Sequence, residues 1–446
     1  MPPRFGTDGI RGVANSELTA EFALALGRVA ARRLGPGAFL LGRDTRLSGA
    51  MLQAALSAGL ASEGRDVVDL GVLPTPGVAW LASGRALPAA MISASHNPFA
   101  DNGIKLFDAG GTKLSVETEL AIQEELDSLT SGRVPPGEGA ATRVGSIQPD
   151  PLGAAQYADR LVSLVSGSPM PEGEVVVDCA NGAASQVAPN VLARLGLRAH
   201  VVSATPQGTN INAGCGSTHL DLLAAEVVSR GAALGIAFDG DADRMLAVDH
   251  RGAVVDGDHL IAMFAADLHK SGALEGGAVV VTVLSNLGLR LALGSIGIEV
   301  IDTPVGDRHV ADALEAGGYS LGGEQSGHLI FRQHSSTGDG ILTALKLLEL
   351  LGRSGRPLAE MAAGAMERLP QVLVNIPVPD PARLDGAGAV WAEAEAVGSR
   401  LGEAGRVLLR RSGTESCVRV MVEAETPELA DRFAEQLADV VRRELG

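Results

Sequence analysis

The stretch Met91-Ile92-Ser93-Ala94-Ser95-His96-Asn97-Pro98 follows a short apolar run that begins at Ala89. The apolar run predicts the end of a buried strand, and the small polar residues with their proline predict a tight loop. Ser95 is therefore expected to stand exposed at a strand end, with His96 beside it, and the downstream Lys105 brings a cation back toward this loop. A serine held in this way either accepts a phosphoryl group or caps a turn, and this stretch alone leaves both interpretations open.

Strand-like and helix-like segments alternate on both sides of this stretch, which predicts an α/β fold. The alternation starts three times with a similar rhythm, so we expect an internal structural repeat. After Pro370 the rhythm changes to that of a small α+β unit. The predicted domains span residues 1–152, 153–254, 255–368 and 369–446.

Two local patterns near the start of the chain predict helices. Thr19 precedes a periodic run over residues 20–34 and is expected to cap that helix, and a second helix is expected over residues 49–62. Residues 131–149 contain glycine, proline and serine with little periodicity, which predicts a connection between domains.

The composition limits the classes of function. The chain has 446 residues and a net charge of −17, which argues against a general nucleic-acid binder because such proteins need a basic face. It contains no apolar stretch of the roughly 20 residues that a membrane helix requires, and its first residues lack the layout of a signal peptide. The three cysteines are far apart and are expected to be buried in a reducing compartment. We therefore expect a cytoplasmic protein whose anionic ligands are attracted by local cation clusters.

The segment Asp239-Gly240-Asp241-Ala242-Asp243-Arg244 follows a predicted strand over residues 234–238. Three carboxylates spaced by two residues at a strand end form a hard oxygen site suited to Mg²⁺. An acidic solvated turn is the alternative, which is less favoured because clustered carboxylates repel one another without a cation. An EF-hand loop is excluded, because its sixth and twelfth positions would be Arg244 and His250 in place of glycine and glutamate.

Three further glycine-framed segments carry polar side chains. Gly322-Gly323-Glu324-Gln325-Ser326-Gly327-His328 offers donors and acceptors that suit sugar hydroxyls, although such turns are also common on surfaces. Arg410-Arg411-Ser412-Gly413-Thr414 combines guanidinium groups, hydroxyls and a flexible backbone, which match a phosphate dianion; a solvated basic turn is the alternative. Phe5-Gly6-Thr7-Asp8-Gly9-Ile10-Arg11-Gly12 is either a chain start packed onto a domain or a segment from which Arg11 reaches a phosphoryl group.

Taken together, these motifs resemble the α-D-phosphohexomutase superfamily over essentially the whole chain. FGTDGIRG, ISASHNP with DNGIK, DGDADR, GGEQSGH and RRSGTES occur in the order that the family has. The opening motif and the glutamine at Gln325 favour the glucosamine branch, which leads toward UDP-N-acetylglucosamine and cell-wall precursors. The resemblance implies three similar α/β domains with mixed sheets and a smaller C-terminal α+β domain around a central cleft. In chain order these domains would carry the phosphoserine, the metal, the sugar and the second phosphate of the substrate.

The resemblance also implies roles for single residues. Ser95 would be a phosphoserine that donates and regains a phosphoryl group, and its phosphate would complete a site for one Mg²⁺ per chain. Lys105 and His328 match positions of candidate acid/base groups, and Arg11 would reach the phosphoryl group. The metal ligands besides Ser95 would be Asp239, Asp241 and Asp243. The substrate would contact Arg244, Glu324, Ser326, Arg410, Ser412, Gly413 and Thr414.

The reaction that the resemblance implies is the interconversion of a sugar 6-phosphate and a sugar 1-phosphate, with a hexosamine or hexose 1,6-bisphosphate as intermediate and activator. The partner would be a phosphosugar, with no nucleic acid and no membrane, and a homodimer is among the expected assemblies because family members are often dimers. Two positions depart from the family pattern. Ser416 stands where proline usually follows the glutamate, and Ala242 stands where glycine is frequent.

Three alternatives to a glucosamine-directed mutase stay open at the level of the sequence. A phosphoglucomutase or phosphomannomutase would use the same motifs on a neutral sugar. A haloacid-dehalogenase-like phosphatase would use Asp239 as a nucleophile with Asp241 beside it, but it would leave the serine loop without a role. A non-catalytic sugar-phosphate binder would use the same cleft, although Ser95, the three aspartates and Lys105 are all present.

Overall fold

The computed structural model describes residues 3–6, 8–130, 144–412 and 416–446. The chain divides into two units, of which the first comprises Met1–Leu284 with Ile298–Ala363 and the second comprises Ser285–Gly297 with Gly364–Gly446. Over the described ranges, every helix is too short or too polar to cross a membrane.

The first unit begins with a seven-stranded mixed sheet. Its strands are β1 (Phe5–Gly6), β2 (Gly9–Val13), β3 (Phe39–Arg43), β4 (Val67–Val72), β5 (Ala89–Ile92), β6 (Asp101–Phe107) and β7 (Ile147–Pro149). They are ordered β1-β2-β6-β5-β3-β4-β7. The accompanying helices are α1 (Ala20–Arg33), α2 (Gly49–Ser62), α3 (Thr75–Arg85) and α4 (Val116–Thr130).

A five-stranded sheet follows, ordered β12-β11-β10-β8-β9. Its elements are α5 (Gly153–Val165), β8 (Glu174–Asp178), α6 (Ala184–Arg194), β9 (Arg198–Val202), α7 (Asp221–Arg230), β10 (Leu234–Phe238), β11 (Met245–Asp249) and β12 (Val254–Val255).

The third sheet has four strands, ordered β14-β13-β15-β16. Its segment of the chain contains α8 (Gly257–Lys270), β13 (Ala278–Thr282), α9 (Leu287–Ser295), β14 (Glu299–Thr303), α10 (Asp307–Gly317), β15 (Leu321–Gly323), β16 (Leu329–Phe331), α11 (Gly340–Ser354) and α12 (Leu358–Ala365). Of these, α9 falls in the second unit.

One four-strand arrangement recurs in all three sheets, as β6-β5-β3-β4, β11-β10-β8-β9 and β16-β15-β13-β14. In each, the strand that comes first in the chain pairs in parallel with the second and third strands, and the fourth strand returns antiparallel to the third as a hairpin. The expected structural repeat is therefore present. The three hairpins are connected by residues 93–100, 239–244 and 324–328, so the serine loop, the aspartate loop and the glycine-rich loop occupy equivalent places in the three domains.

The second unit contains a three-stranded antiparallel sheet, ordered β17-β19-β18. Its elements are β17 (Gln371–Pro377), α13 (Gly388–Leu401), β18 (Arg406–Arg411), β19 (Cys417–Glu423) and α14 (Pro427–Leu445). Thr426 caps α14 by accepting a hydrogen bond from the backbone N–H of Leu429. Alternate residues of β19 pack with one face of α14 into a single apolar core, which is the α+β arrangement predicted for this part of the chain.

The local predictions are confirmed at the start of the chain. Helix α1 begins after Thr19, whose Oγ1 accepts a hydrogen bond from the N–H of Phe22 at 3.2 Å, and α2 covers the predicted 49–62 range. The predicted connection is wrong at its end, because residues 147–149 form β7 and pair in parallel with β4. The turn-forming composition of this segment did not predict a strand, because the strand forms by pairing with β4 and not through the β-propensity of its own side chains. Residues 131–143 of that connection lie outside the described residues.

Helices α1 and α2 pack backbone to backbone through glycine. A Cβ on Gly59 would lie 2.2 Å from the carbonyl oxygen of Leu24, and a Cβ on Gly27 would lie 2.3 Å from that of Leu56. We expect Gly59→Ala to lower the free energy of unfolding by about 1–3 kcal/mol, because the helices must separate to admit the methyl group. Gly84→Ala is the matched helical control, since a Cβ there meets nothing within 4 Å.

Chemical denaturation followed by circular dichroism measures both variants. The control should keep the stability of the parent or gain up to about 1 kcal/mol, because alanine restricts the unfolded chain and favours the helix. Equal stabilities of the two variants would contradict the close helix contact.

Candidate active site

Ser95 is held between two domains. It is the third residue after β5 and adopts a left-handed backbone conformation with φ of 53°. Its Oγ donates a hydrogen bond to Oδ2 of Asp239 at 2.5 Å, and only 1% of the residue is exposed. The expectation that Ser95 stands exposed at a strand end is therefore wrong, because the aspartate loop of the second domain covers it.

The aspartate loop connects β10 to β11 and carries three buried carboxylates. One oxygen from each of Asp239, Asp241 and Asp243 lies within 4.8 Å of the other two. Burial and the two neighbouring carboxylates raise the pKa of Asp239 well above its usual value. Among the described residues, Oδ1 of Asp241 and Oδ1 of Asp243 have no hydrogen-bond partner. Carboxylate oxygens that converge, two of them buried without a hydrogen-bond partner, fit a hard divalent cation such as Mg²⁺.

Ala242 explains one departure from the family pattern. It is fully buried and adopts φ of 57°, which is a conformation that glycine enters at the lowest cost. The glycine that is frequent at this position in the family therefore suits the positive φ of the turn. Ala242 adopts the same kind of φ, and the three carboxylates still converge.

Lys105 lies on β6 beneath the aspartate loop. Its Nζ lies 3.0 Å from Oδ2 of Asp241, 3.2 Å from Oδ2 of Asp243 and 3.0 Å from Oδ2 of Asp8, and the side chain is 2% exposed. Burial alone would lower the pKa of Lys105, but these three carboxylates raise it well above its usual value. Lys105 is therefore a buried ammonium that donates hydrogen bonds and balances the charge of the carboxylates, and an ordinary surface lysine is excluded.

A row of alternating charges continues from Lys105 into the third domain. Lys113 forms ion pairs with both Asp8 and Asp307. Oδ2 of Asp307 lies 3.6 Å from Nε2 of His328, a residue that is 1% exposed. This row of charges therefore extends from the aspartate loop to His328. The sequence did not predict the roles of Lys113, Asp307 and Asp8, because the paired residues are up to 194 residues apart in the chain.

Three groups with imidazole or guanidinium side chains lie near the serine. The backbone N–H of Arg244 donates to Oδ1 of Asp239 at 3.1 Å. Burial alone would lower the pKa of the Arg244 guanidinium, but the carboxylates of Asp243 and Asp239 raise it.

His96 and Arg11 lie near the same serine. Nδ1 of His96 lies 3.3 Å from Oγ of Ser95. Burial, Arg244 and Arg11 lower the pKa of His96 to about 4, so its ring is neutral at pH 7. Arg11 donates to Asp8 at 2.6 Å and to Oδ1 of Asn97 at 3.4 Å, which places its cation beside the serine loop.

The glycine-rich loop joins β15 to β16 and lies against the aspartate hairpin. The N–H of Met245 donates to the carbonyl of Gly327 at 3.0 Å. A Cβ on Gly327, which has φ of 91°, would lie 2.4 Å from the carbonyl oxygen of Met245, so only glycine permits this approach. Glu324 accepts hydrogen bonds from the N–H of Gly306 at 3.2 Å and from Oγ of Ser326 at 3.5 Å. The loop therefore presents a carboxylate and a hydroxyl from a fixed backbone.

The predicted phosphate clamp belongs to the second unit, where residues 412–416 connect β18 to β19. Arg410 lies directly opposite Arg419 on the neighbouring strand. Burial and the charge of Arg419 lower the pKa of Arg410, as expected where two cations face each other. The N–H of Ser412 donates to the carbonyl of Cys417 at 3.0 Å. Gly413 and Thr414 lie outside the described residues.

This arrangement places a serine hydroxyl, three carboxylates, a buried ammonium and a guanidinium within one site of the first unit. A phosphate on Oγ of Ser95 would lie beside the aspartate oxygens and the cation that they can hold. Such a set suits transfer of a phosphoryl group, in which charge must be balanced while two oxygen atoms are held in line.

The four domain families of phosphoglucomutase/phosphomannomutase match the chain in order. The α/β/α domains I, II and III match residues 2–133, 155–252 and 256–369, and the C-terminal domain matches residues 373–440.

Curated relatives match over nearly full length. The phosphoglucosamine mutase of Rubrobacter xylanophilus is 52% identical, with 99% of this chain and 98% of the relative covered. That of Rhodococcus erythropolis is 50% identical, with 98% of each chain covered. Among solved structures, a phosphoglucomutase/phosphomannomutase family protein from Burkholderia thailandensis has a TM-score of 0.84 and 26% identity, and the match covers 100% of this chain and 98% of that one.

Proposed function

The chain belongs to the phosphoglucomutase/phosphomannomutase family of phosphohexomutases, and from this premise we propose that it interconverts glucosamine 6-phosphate and glucosamine 1-phosphate through a phosphoserine at Ser95. It is an isomerase that transfers a phosphoryl group. The observation that carries the proposed mechanism is the hydrogen bond of 2.5 Å from Oγ of Ser95 to Asp239, inside a cluster of three buried carboxylates.

The proposed reaction has two phosphoryl transfers. In the first, the bond between phosphorus and Oγ of phosphoserine 95 breaks and a bond from phosphorus to O1 of glucosamine 6-phosphate forms; O1 loses its proton, and Oγ of Ser95 gains one. The resulting 1,6-bisphosphate reverses its orientation before the second transfer. In the second, a bond forms from the 6-phosphorus to Oγ of Ser95 and the bond from that phosphorus to O6 breaks; Oγ loses its proton and O6 gains one as glucosamine 1-phosphate is released.

The residues of the site have separable roles in this proposal. Asp239, Asp241 and Asp243 would hold Mg²⁺, which when bound supplies a Lewis acid beside the phosphate of Ser95. Arg244 and Arg11 would lower the negative charge that resists attack on the phosphoryl group. Lys105 is held protonated by its carboxylates, which supports charge balance and hydrogen bonding beside the transferred group. Lys105 and His328, which lies at the far end of the charged row, are the candidate acid/base groups.

Substrate recognition is assigned to two loops. Glu324 and Ser326 would bind sugar hydroxyls from the glycine-rich loop. Arg410, Ser412, Gly413 and Thr414 would bind the phosphate that is not being transferred, and the facing cations Arg410 and Arg419 support this role. Separate sites for the two phosphates would let one clamp serve both orientations of the bisphosphate. A cytoplasmic location and a homodimer stay predictions from the sequence.

The sugar specificity is tested by comparing substrates. We expect kcat/KM for glucosamine 6-phosphate to exceed that for glucose 6-phosphate and mannose 6-phosphate by at least tenfold, which corresponds to about 1.4 kcal/mol of transition-state binding. Initial rates with each sugar, measured on the same phosphorylated preparation with Mg²⁺ present, provide the comparison. A preference for either neutral sugar would assign the chain to the phosphoglucomutase or phosphomannomutase branch instead.

A further inference from the structure

A buried ion pair lies directly under the serine loop, beside the reacting groups but not among them. Asp44 follows β3 and is fully buried, and Arg46 is 1% exposed. Nε of Arg46 donates to Oδ2 of Asp44 at 2.9 Å. Removing two charges from water costs free energy that their attraction only partly offsets, so a buried ion pair is weak evidence of stabilisation and another role must explain it.

The guanidinium of Arg46 donates to four backbone carbonyls of the serine loop and the strand that follows. Its Nη2 lies 2.9 Å from the carbonyl oxygen of Ser95 and 2.8 Å from that of Asn97. Its Nη1 donates to the carbonyl oxygens of Pro98 and Asp101. Arg46 therefore fixes both sides of the turn that carries Ser95, and its planar fork is suited to several acceptors at once.

Asp44 is connected to the backbone N–H of Ser95 through the side chain of Ser93. Its Oδ2 accepts a hydrogen bond from Oγ of Ser93 at 2.7 Å, and Oγ of Ser93 accepts one from the N–H of Ser95 at 2.9 Å. The N–H and the carbonyl of Ser95 are thus both tied to the Asp44–Arg46 pair. This connection holds Ser95 at a φ of 53°, a left-handed conformation that is strained for a residue other than glycine.

Asn212 reaches the same loop from the second domain. Its Nδ2 donates to the carbonyl oxygen of Ser95 at 2.9 Å and to that of Asn97 at 3.1 Å. Each of these two carbonyls therefore accepts one hydrogen bond from Arg46 and one from Asn212. The serine loop is fixed jointly by the domain that carries Ser95 and by the domain that carries the aspartates.

We propose that Arg46 and Asn212 are positioning residues, which hold Ser95 so that its Oγ faces the aspartate loop for phosphoryl transfer. This inference rests on the proposed phosphoserine function. Neither residue needs to contact the sugar, whose predicted ligands lie on other loops, so their loss should slow transfer without weakening substrate binding. A displacement of about 1 Å at a reacting atom can cost on the order of 100-fold in rate.

Asn212→Ala tests the proposal. We expect kcat for glucosamine 6-phosphate to fall by about 10- to 100-fold while KM changes by less than about threefold, because the transferring atom is displaced and the sugar contacts are kept. The ³¹P resonance of phosphoserine 95 should shift or broaden. Asn210→Ala is the matched control, because among the described residues the side chain of Asn210 hydrogen-bonds to Gln207 and Thr205 within its own loop. It should retain the kcat and the ³¹P resonance of the parent.

Arg46→Lys provides a second variant, since an ammonium cannot reproduce the fork, and it should lower kcat with the same resonance change. Equal losses in Asn212→Ala and Asn210→Ala, or a wild-type kcat and resonance in Asn212→Ala, would overturn the positioning role alone. Absence of phosphate from Ser95 of the active wild-type protein would overturn the proposed function and this inference with it.

Discussion

Replacement of Ser95 by alanine should reduce turnover by at least about 10⁴-fold, because the variant has no oxygen that can lend and recover the phosphoryl group. The fold should be retained. Ala86, Ala180 and Ala242 adopt the left-handed conformation that Ser95 has, so alanine is compatible with this backbone. The substitution removes the hydrogen bond from Oγ to Asp239 and the contact of Oγ with Nδ1 of His96, and their loss is expected to lower the free energy of unfolding by about 1–2 kcal/mol.

Mass spectrometry of acid-quenched protein gives the decisive readout for Ser95. The wild-type protein should carry phosphate on Ser95, and Ser95→Ala should carry none. Ser57→Ala replaces another buried serine, on α2, and should keep both turnover and the phosphate. Turnover that survives in Ser95→Ala would contradict the phosphoserine mechanism. Phosphate on Asp239 of the wild-type protein would favour the haloacid-dehalogenase-like alternative.

The sequence predicted the functional loops because each loop has a local pattern. An apolar strand followed by clustered small or acidic residues marks the ends of β5 and β10, and the third loop was recognised from the glycines that frame its polar residues. The order of the strands is not local, and only the structure reveals that all three loops connect equivalent hairpins of a repeated four-strand arrangement. That equivalence gives a physical reason why residues far apart in sequence meet at one site.

Burial at the site could not be predicted in the same way. Ser95 and Lys105 look like polar residues of exposed loops, yet both are at most 2% exposed because the aspartate loop of another domain covers them. The ion pairs of Lys113 with Asp8 and Asp307 depend on contacts between domains, for which a single sequence carries no periodic signal. Arg46 and Asn212 were missed for the same reason. Their partners are backbone carbonyl groups, which every residue has, so no residue type in the sequence marks these contacts.

Removal of divalent cations should abolish turnover without unfolding the protein. Lys105 and Arg244 lie near the three aspartates and partly balance their charge, so the fold does not depend on a metal for every carboxylate. They leave Oδ1 of Asp241 and Oδ1 of Asp243 without a hydrogen-bond partner among the described residues. We expect dialysis against a chelator to lower turnover by at least about 10³-fold and added Mg²⁺ to restore it, because charge on the phosphoryl group would otherwise be unbalanced.

Thermal unfolding provides a readout of the cation that is independent of activity. A cation that binds only the folded protein adds about 2.7 kcal/mol of stability at 100 times its Kd, so Mg²⁺ should raise the melting temperature. Asp241→Asn should lose most of this response, since it removes one ligand and one partner of Lys105.

Asp249→Asn is the matched control for that variant. Asp249 is buried on β11 and accepts backbone hydrogen bonds from Arg251 and Ala253 through Oδ1, an arrangement that asparagine also makes. It should therefore respond to Mg²⁺ as the parent does. Full turnover in chelated protein, or a melting temperature that Mg²⁺ does not change, would contradict the assignment of the three aspartates. Equal Mg²⁺ responses in Asp241→Asn and Asp249→Asn would place the cation elsewhere, because only the first substitution changes the oxygen cluster.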